Sequence, residues 1–278
     1  MSTPAKLAAF ATTLAVLFGG GALAGAAIDP NRGESDTEHG GADDDHDAPD
    51  PVRGLAVAEH DLRVVVENPE LRRGQSERLR FRIVDERGET VRDFDVEHEK
   101  RMHLIVARRD LTGFQHLHPE QAADGTWAAD VALPEAGSYR LFADFAAGGT
   151  SYTLASDLRV DGDADLQPLP APASTAVSEG GYAVRMHAGD VRPGREADLR
   201  FTIAKDGHAV RTEPYLGAGG HLVALREGDM AFLHVHPTDD GAGIGFMATF
   251  PTAGRYRLFL QFKHAGRVQT VAFTQEVK

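Results

Sequence analysis

The chain has 278 residues, 42% of them apolar, no cysteine and a formal charge of −13. That length is too great for one ordinary sandwich and suits two domains plus a tail. The missing cysteines exclude disulfides, thiolate zinc sites, the cysteine-dependent blue-copper site and a cysteine nucleophile, and the lack of a basic stripe argues against nucleic acid as a partner.

In chain order, Lys6 precedes a run from Leu7 to Ile28 that carries no charge. As a helix it would span roughly 33 Å, enough to cross a bilayer core. Ala22-Leu23-Ala24 has the look of a small-residue cleavage site, so residues 1–28 read as a signal peptide or an uncleaved transmembrane anchor. The run continues past that site, which favours the anchor, and both readings place the remainder outside the cytoplasm, on the cell membrane or secreted. Residues 29–53 are rich in Asp, Glu and Gly, and the −8 carried by residues 29–50 is most of the net charge. Such a stretch cannot bury enough apolar surface to fold alone and reads as a disordered acidic spacer.

From Leu55 onward the pattern is one of short strands. Leu79, Phe81 and Ile83 alternate with Arg78, Arg80 and Arg82, the period of a half-buried strand. Further strands are expected around His103, at Trp127–Leu133, at Tyr139–Phe145 and at Tyr152–Val160. Many short strands separated by turn signals predict a β-sandwich over residues 54–161. The pattern breaks at Asp161-Gly162-Asp163, and Pro168, Pro170 and Pro172 follow, predicting a stiff, exposed linker over residues 162–178. Residues 179–278 repeat the first domain, with Leu199, Phe201 and Ile203 in place of the earlier trio and Asp206-Gly207 as a hairpin turn. The fold expectation is therefore all-β, with two immunoglobulin-like sandwiches in tandem behind a hydrophobic helix and a spacer.

Two internal matches support the duplication. Pro134–Phe145 and Pro251–Phe262 share Ala-Gly-x-Tyr-Arg-Leu-Phe. A glycine two residues before a tyrosine at a strand start resembles the tyrosine corner of immunoglobulin-like domains, which assigns Tyr139 and Tyr256 a structural role. The other match joins His103–Pro119 to His221–Pro237 at an offset of 118, with 7 of 17 positions identical. Three histidines are kept in each copy: His103, His116 and His118, and His221, His234 and His236.

Residues i and i+2 of a strand share a face, so each His-x-His pair projects two imidazoles to one side. A four-residue hairpin tip, Asp110–Gly113, sets Ala107 opposite His116 and Ile105 opposite His118, and brings His103 to the same face. A three-residue tip reverses that parity. Three strand imidazoles suit zinc, copper or nickel, so the expected sites are two: His103, His116 and His118 in one domain, His221, His234 and His236 in the other. The competing reading is structural, since a strand histidine can simply pack and donate to a carbonyl. A general base is not evident, because Glu120 follows Pro119 while Thr238 holds the matching place. Glu97-His98-Glu99 and Met102, just before His103, are a weaker candidate, since a methionine thioether suits copper(I); Gly217-Ala218-Gly219-Gly220 in the second copy confines any such role to the first domain. Phe114 and Phe232 read as core residues, and Met186, Met230 and Met247 as packing or surface residues.

His103-Leu104-Ile105-Val106, followed by Phe114-x-His116-x-His118-Pro119, resembles exported bacterial β-sandwich proteins described as YtkA-like, FixH-like or heavy-metal-associated. Tyr215–Val223 followed by His234-Val235-His236-Pro237 is similar to a second such module. The resemblance covers residues 55–278 and implies an extracytoplasmic immunoglobulin-like fold in a copper or heavy-metal setting. The reading that results is a membrane-anchored metal-binding protein taking copper or zinc for sensing, delivery or buffering. Its expected partners are the ion and a membrane metal transporter or another exported protein. The alternatives are a metal-free structural or interaction module and a zinc-dependent hydrolase.

Overall fold

A computed structural model describes residues 52–233, 235–238 and 243–278. The run at residues 7–28 and the acidic stretch up to residue 51 lie outside these, and so do the anchor, signal-peptide and spacer expectations placed on them. Among the described residues the regular elements are strands, and no helix is long and apolar enough to cross a membrane.

The first sandwich contains β1 (Ala58–Glu59), β2 (Leu62–Val66), β3 (Glu70–Leu71), β4 (Ser76–Val84), β5 (His103–Arg108), β6 (Gln115–Leu117), β7 (Glu120–Gln121), β8 (Trp127–Ala132), β9 (Gly137–Ala147) and β10 (Thr150–Val160). The second contains β11 (Thr175–Val177), β12 (Tyr182–Ala188), β13 (Glu196–Lys205), β14 (His208–Ala209), β15 (His221–Arg226), β16 (Phe232–Leu233), β17 (Val235–Thr238), β18 (Ile244–Thr249), β19 (Gly254–His264) and β20 (Arg267–Val277). Each sandwich pairs two sheets. In the first they run β1-β2-β4-β8-β7 and β3-β10-β9-β5-β6; in the second, β11-β12-β13-β18-β17 and β16-β15-β19-β20. The order β2-β4-β8-β7 recurs as β12-β13-β18-β17, and β10-β9-β5-β6 recurs as β20-β19-β15-β16, so the sequence repeat is a repeat of topology.

Alternation explains the outer sheets. Leu79, Phe81 and Ile83 are buried on β4 while Arg78 and Arg80 face solvent, and β13 repeats this with Leu199, Phe201 and Ile203. The tyrosine corners form as expected. Tyr139 donates from its phenol to the Glu135 carbonyl at 2.9 Å, and Tyr256 does the same to Thr252 at 2.9 Å. Asp206 and Gly207 take positive φ values of 52° and 79° in the two-residue turn between β13 and β14.

The inner sheets depart from alternation, because every residue of β5 is buried. One face of β5 serves the first sandwich's core through Leu104 and Val106. Its other face, with Ile105 and Ala107, packs with Phe142 against Val223, Leu225 and Phe259 of the second sandwich. Phe114 stacks on Phe259 with ring centroids 4.0 Å apart, and Phe142 meets Phe232 at 5.5 Å. Phe114 matches Phe232 in the repeat, and Phe142 matches Phe259. The contacts are thus reciprocal, as across a two-fold axis, with equivalent surfaces facing one another. Phe114 and Phe232 are interface residues and not, as expected, parts of the separate sandwich cores.

Two further expectations are corrected here. The linker is largely exposed but tied down: Leu169 is buried in the interface, Arg108 Nη2 donates to the Asp165 carbonyl at 2.7 Å, and the Gln167 amide donates to Asp110 at 2.8 Å. Its last residues, Thr175–Val177, already form β11, so the second domain begins before residue 179. The spacer was expected to run to residue 53, yet Arg53 bridges to Phe232 and its carbonyl accepts from the Phe232 amide at 3.0 Å.

Candidate metal centre

The observed register sets Leu104 opposite Leu117 and Ile105 opposite His116. This is two residues away from the expected pairing of Ile105 with His118. An even shift preserves the face, so His103, Ile105 and His116 still share a side of the sheet. The shift carries His118 toward His103. The ligand nitrogens of His103, His116 and His118 all lie within 4.8 Å of one another.

The hydrogen bonds of His103 and His116 assign the protons on those two rings. His103 Nε2 is 3.2 Å from the Glu97 carbonyl oxygen, which can only accept, so this nitrogen carries the proton. His116 Nδ1 is 2.7 Å from Gln261 Oε1, and the same amide donates from Nε2 to Thr270 Oγ1 at 3.1 Å. His116 therefore carries its proton on Nδ1. A neutral imidazole has one N–H, which leaves lone pairs on His103 Nδ1 and His116 Nε2. These two nitrogens face each other at 3.0 Å. His118 Nε2 is buried beside them without a hydrogen-bond partner.

Burial keeps the rings neutral. Removal from water pushes His103 down to about 4, His116 to about 3 and His118 to about 4, with neighbouring histidines adding to the effect. His103 is only 3% exposed. The centre is thus a set of unprotonated nitrogens, with oxygen acceptors on the far sides of His103 and His116. That is how metal-binding histidines are oriented in general.

The second expected triad does not assemble. The first copy leaves its inner sheet after Leu117 and joins β8 at Glu120. The second copy leaves after Leu233, and Val235 already pairs with Ala248 of β18 in the opposite sheet. His236 is carried to that sheet, opposite Met247, and is exposed. His234 lies outside the described residues. His221 turns to the first sandwich. Its ring lies 4.6 Å from that of His116 and 5.6 Å from that of His103, within 5° of parallel to the latter. Burial and the surrounding histidines hold it well below the ordinary imidazole range.

Sequence reasoning passed over Gln261, which sits opposite His221 on β19 and reaches His116 from the second sandwich. It also gave His98 little weight. His98 occupies a two-residue turn with a φ of 46°, its ring 6.1 Å from His103 and 6.0 Å from His221. Glu120, considered as a base, is instead paired with Arg78 at 3.1 Å.

A family model described as a domain of unknown function, DUF8832, matches residues 56–162 and again 175–278. No curated protein matches the sequence. Among solved structures, the chain is similar to FdeC, described as an Escherichia coli adhesin, at 15% identity and a TM-score of 0.28, covering 80% of this chain and 66% of that one. It is also similar to a Salmonella α-2-macroglobulin reacted with methylamine (14% identity, TM-score 0.29), covering 81% of this chain and 15% of that one. A chimeric titin Z1Z2 gives 13% identity and a TM-score of 0.21, over 79% of this chain and 99% of that one. Likenesses this low carry no functional weight. The two family matches span most of the chain, which belongs to the DUF8832 family in tandem form.

Proposed function

We propose that this tandem DUF8832 protein binds one zinc or copper(II) ion per chain through His103, His116 and His118, and serves to buffer or deliver that metal outside the cytoplasm. The observation that carries the reading is the pair of facing lone pairs, 3.0 Å apart, on His103 Nδ1 and His116 Nε2. Two bare acceptors repel at this distance, and a shared cation removes the repulsion. Nitrogens about 2.0–2.1 Å from one tetrahedral ion lie about 3.3 Å from each other. The buried, unpartnered His118 Nε2 supplies a third donor. A set of imidazoles without thiolate or thioether suits zinc and copper(II). The uncharged run at residues 7–28 supports an extracytoplasmic, membrane-attached setting, with a metal transporter or another exported protein as the recipient.

One observation favours a second reading. The same rings stack against His221 across the domain interface, so they could act only as interface packing. Calorimetric titration of the full chain separates the two. Wild type is expected to take up one equivalent of Zn(II) or Cu(II) at neutral pH, and His116→Ala/His118→Ala to lose it while retaining its β-sheet circular dichroism. Equal binding by the double variant would leave the packing reading standing.

A further inference from the structure

The three histidines of the first sandwich leave one position of a tetrahedral ion open. Resting on the metal reading above, we propose that His221 of the second sandwich fills that position, so that one ion spans both sandwiches and staples them together. His221 begins β15 and lies opposite Gln261 of β19, on the face that presents Val223, Leu225 and Phe259 to the first sandwich. Strand geometry therefore aims it across the interface. It is also the repeat equivalent of His103, and the two rings stack on each other. Equivalent residues meet one another only close to the axis of a reciprocal interface, so the centre sits where both sandwiches can supply ligands.

His221 is held by ring packing and not by hydrogen bonds. Its ring lies flat over His116, 4.6 Å away by centroids, and neither ring nitrogen is hydrogen-bonded to another described residue. Rotation about its side-chain bonds breaks no hydrogen bond and brings a nitrogen toward the ion. His98 is the other nearby imidazole, but it is exposed and contacts His103 and His221 only at ring separations of 6.1 and 6.0 Å. Gln261 adds a second tie, because its amide oxygen accepts from His116 Nδ1–H across the interface. An ion on Nε2 makes that N–H a stronger donor, so occupancy of the centre also tightens this bond.

The test uses the full chain with zinc alone and cobalt(II) alone as probes, comparing wild type with His221→Phe, which keeps a flat ring and removes the ligand. Wild type is expected to give the visible cobalt bands of a four-coordinate ion. His221→Phe should bind zinc at least tenfold more weakly, show shifted cobalt bands as water replaces the imidazole, and lose the zinc-dependent protection of β15 and β19 from hydrogen exchange. As a check that needs no variant, the imidazole nitrogen signals of His221 in wild type should shift on adding zinc. Unchanged affinity, cobalt spectrum and His221 signals, with binding still dependent on His116 and His118, would overturn the fourth ligand and leave the three-histidine site intact. A wild type that binds neither metal would overturn both.

Discussion

Gly54 shows how one residue can hold two domains in register. Its φ is +69°, and a Cβ built there would come within 2.8 Å of the Phe142 ring and of Phe232 Cβ. Phe142 belongs to the first sandwich and Phe232 to the second, so the backbone at Gly54 passes through the gap where their interface phenylalanines meet. The neighbouring amides fasten it there: the Gly54 amide donates to the Thr153 carbonyl at 3.1 Å, and the Ala155 amide to the Ala56 carbonyl at 2.8 Å. Gly54→Ala combines a left-handed backbone with a clash against ring and backbone-proximal atoms that cannot yield easily. It is expected to destabilise the protein by about 2 kcal/mol or more, read from the midpoint of a urea denaturation curve. At the same scale, the face shared by His103 and His116 followed from spacing only for an even hairpin tip, a parity the sequence left open and the register of β5 and β6 supplies. The partners Glu97 and Gln261 were not legible, because a carbonyl six residues upstream and an amide 145 residues downstream leave no local pattern.

Among the elements, β5 and β15 carried a signal that was present in the sequence and passed over. Leu104-Ile105-Val106-Ala107 and Leu222-Val223-Ala224-Leu225 are unbroken apolar runs, and a strand with one face in water alternates. Such runs mean burial on both faces, and here the second face is the other sandwich. The alternating strands β4 and β13 were read correctly because each covers a single core. The failure of the second triad also belongs to this scale. The motif His-x-His-Pro is identical in the two copies, but the point at which the chain crosses between sheets is set by pairing with β8 or β18, which the motif does not encode. The reciprocal phenylalanines allow the interface to be tested as a unit. Phe259→Ala removes the ring stacked 4.0 Å from Phe114, at a cost of about 3–5 kcal/mol. Most of that loss falls on contacts between the sandwiches. Scanning calorimetry is therefore expected to show one cooperative transition in wild type and two in the variant, the sandwiches melting separately.

For the whole molecule, the buried histidines tie stability to pH in the metal-free state. His103, His116 and His118 sit at about 4, 3 and 4 when folded, against about 6.5 in an unfolded chain, and His221 is displaced the same way. Between about pH 4 and 6.5 the unfolded chain binds protons at these positions that the folded chain refuses, so folding stability rises with pH across that window. Asp144 opposes this. Burial raises it to about 6, so its stabilising contribution is greatest at low pH and fades as pH climbs toward 6. One carboxyl against several imidazoles leaves the sign with the histidines. Each tenfold change in a proton affinity corresponds to about 1.4 kcal/mol, so acidification from pH 6.5 to 4.5 should remove several kcal/mol from a protein of ordinary marginal stability. Chelator-treated protein, unfolded in urea at half-unit steps of pH, is expected to lose stability steadily below pH 6.5. His103→Gln/His116→Gln/His118→Gln should start less stable at neutral pH and show a much flatter dependence. A wild-type curve that is level from pH 6.5 to 4.5 would mean that the rings are not held neutral between the sandwiches, and that the packing described around them opens to water.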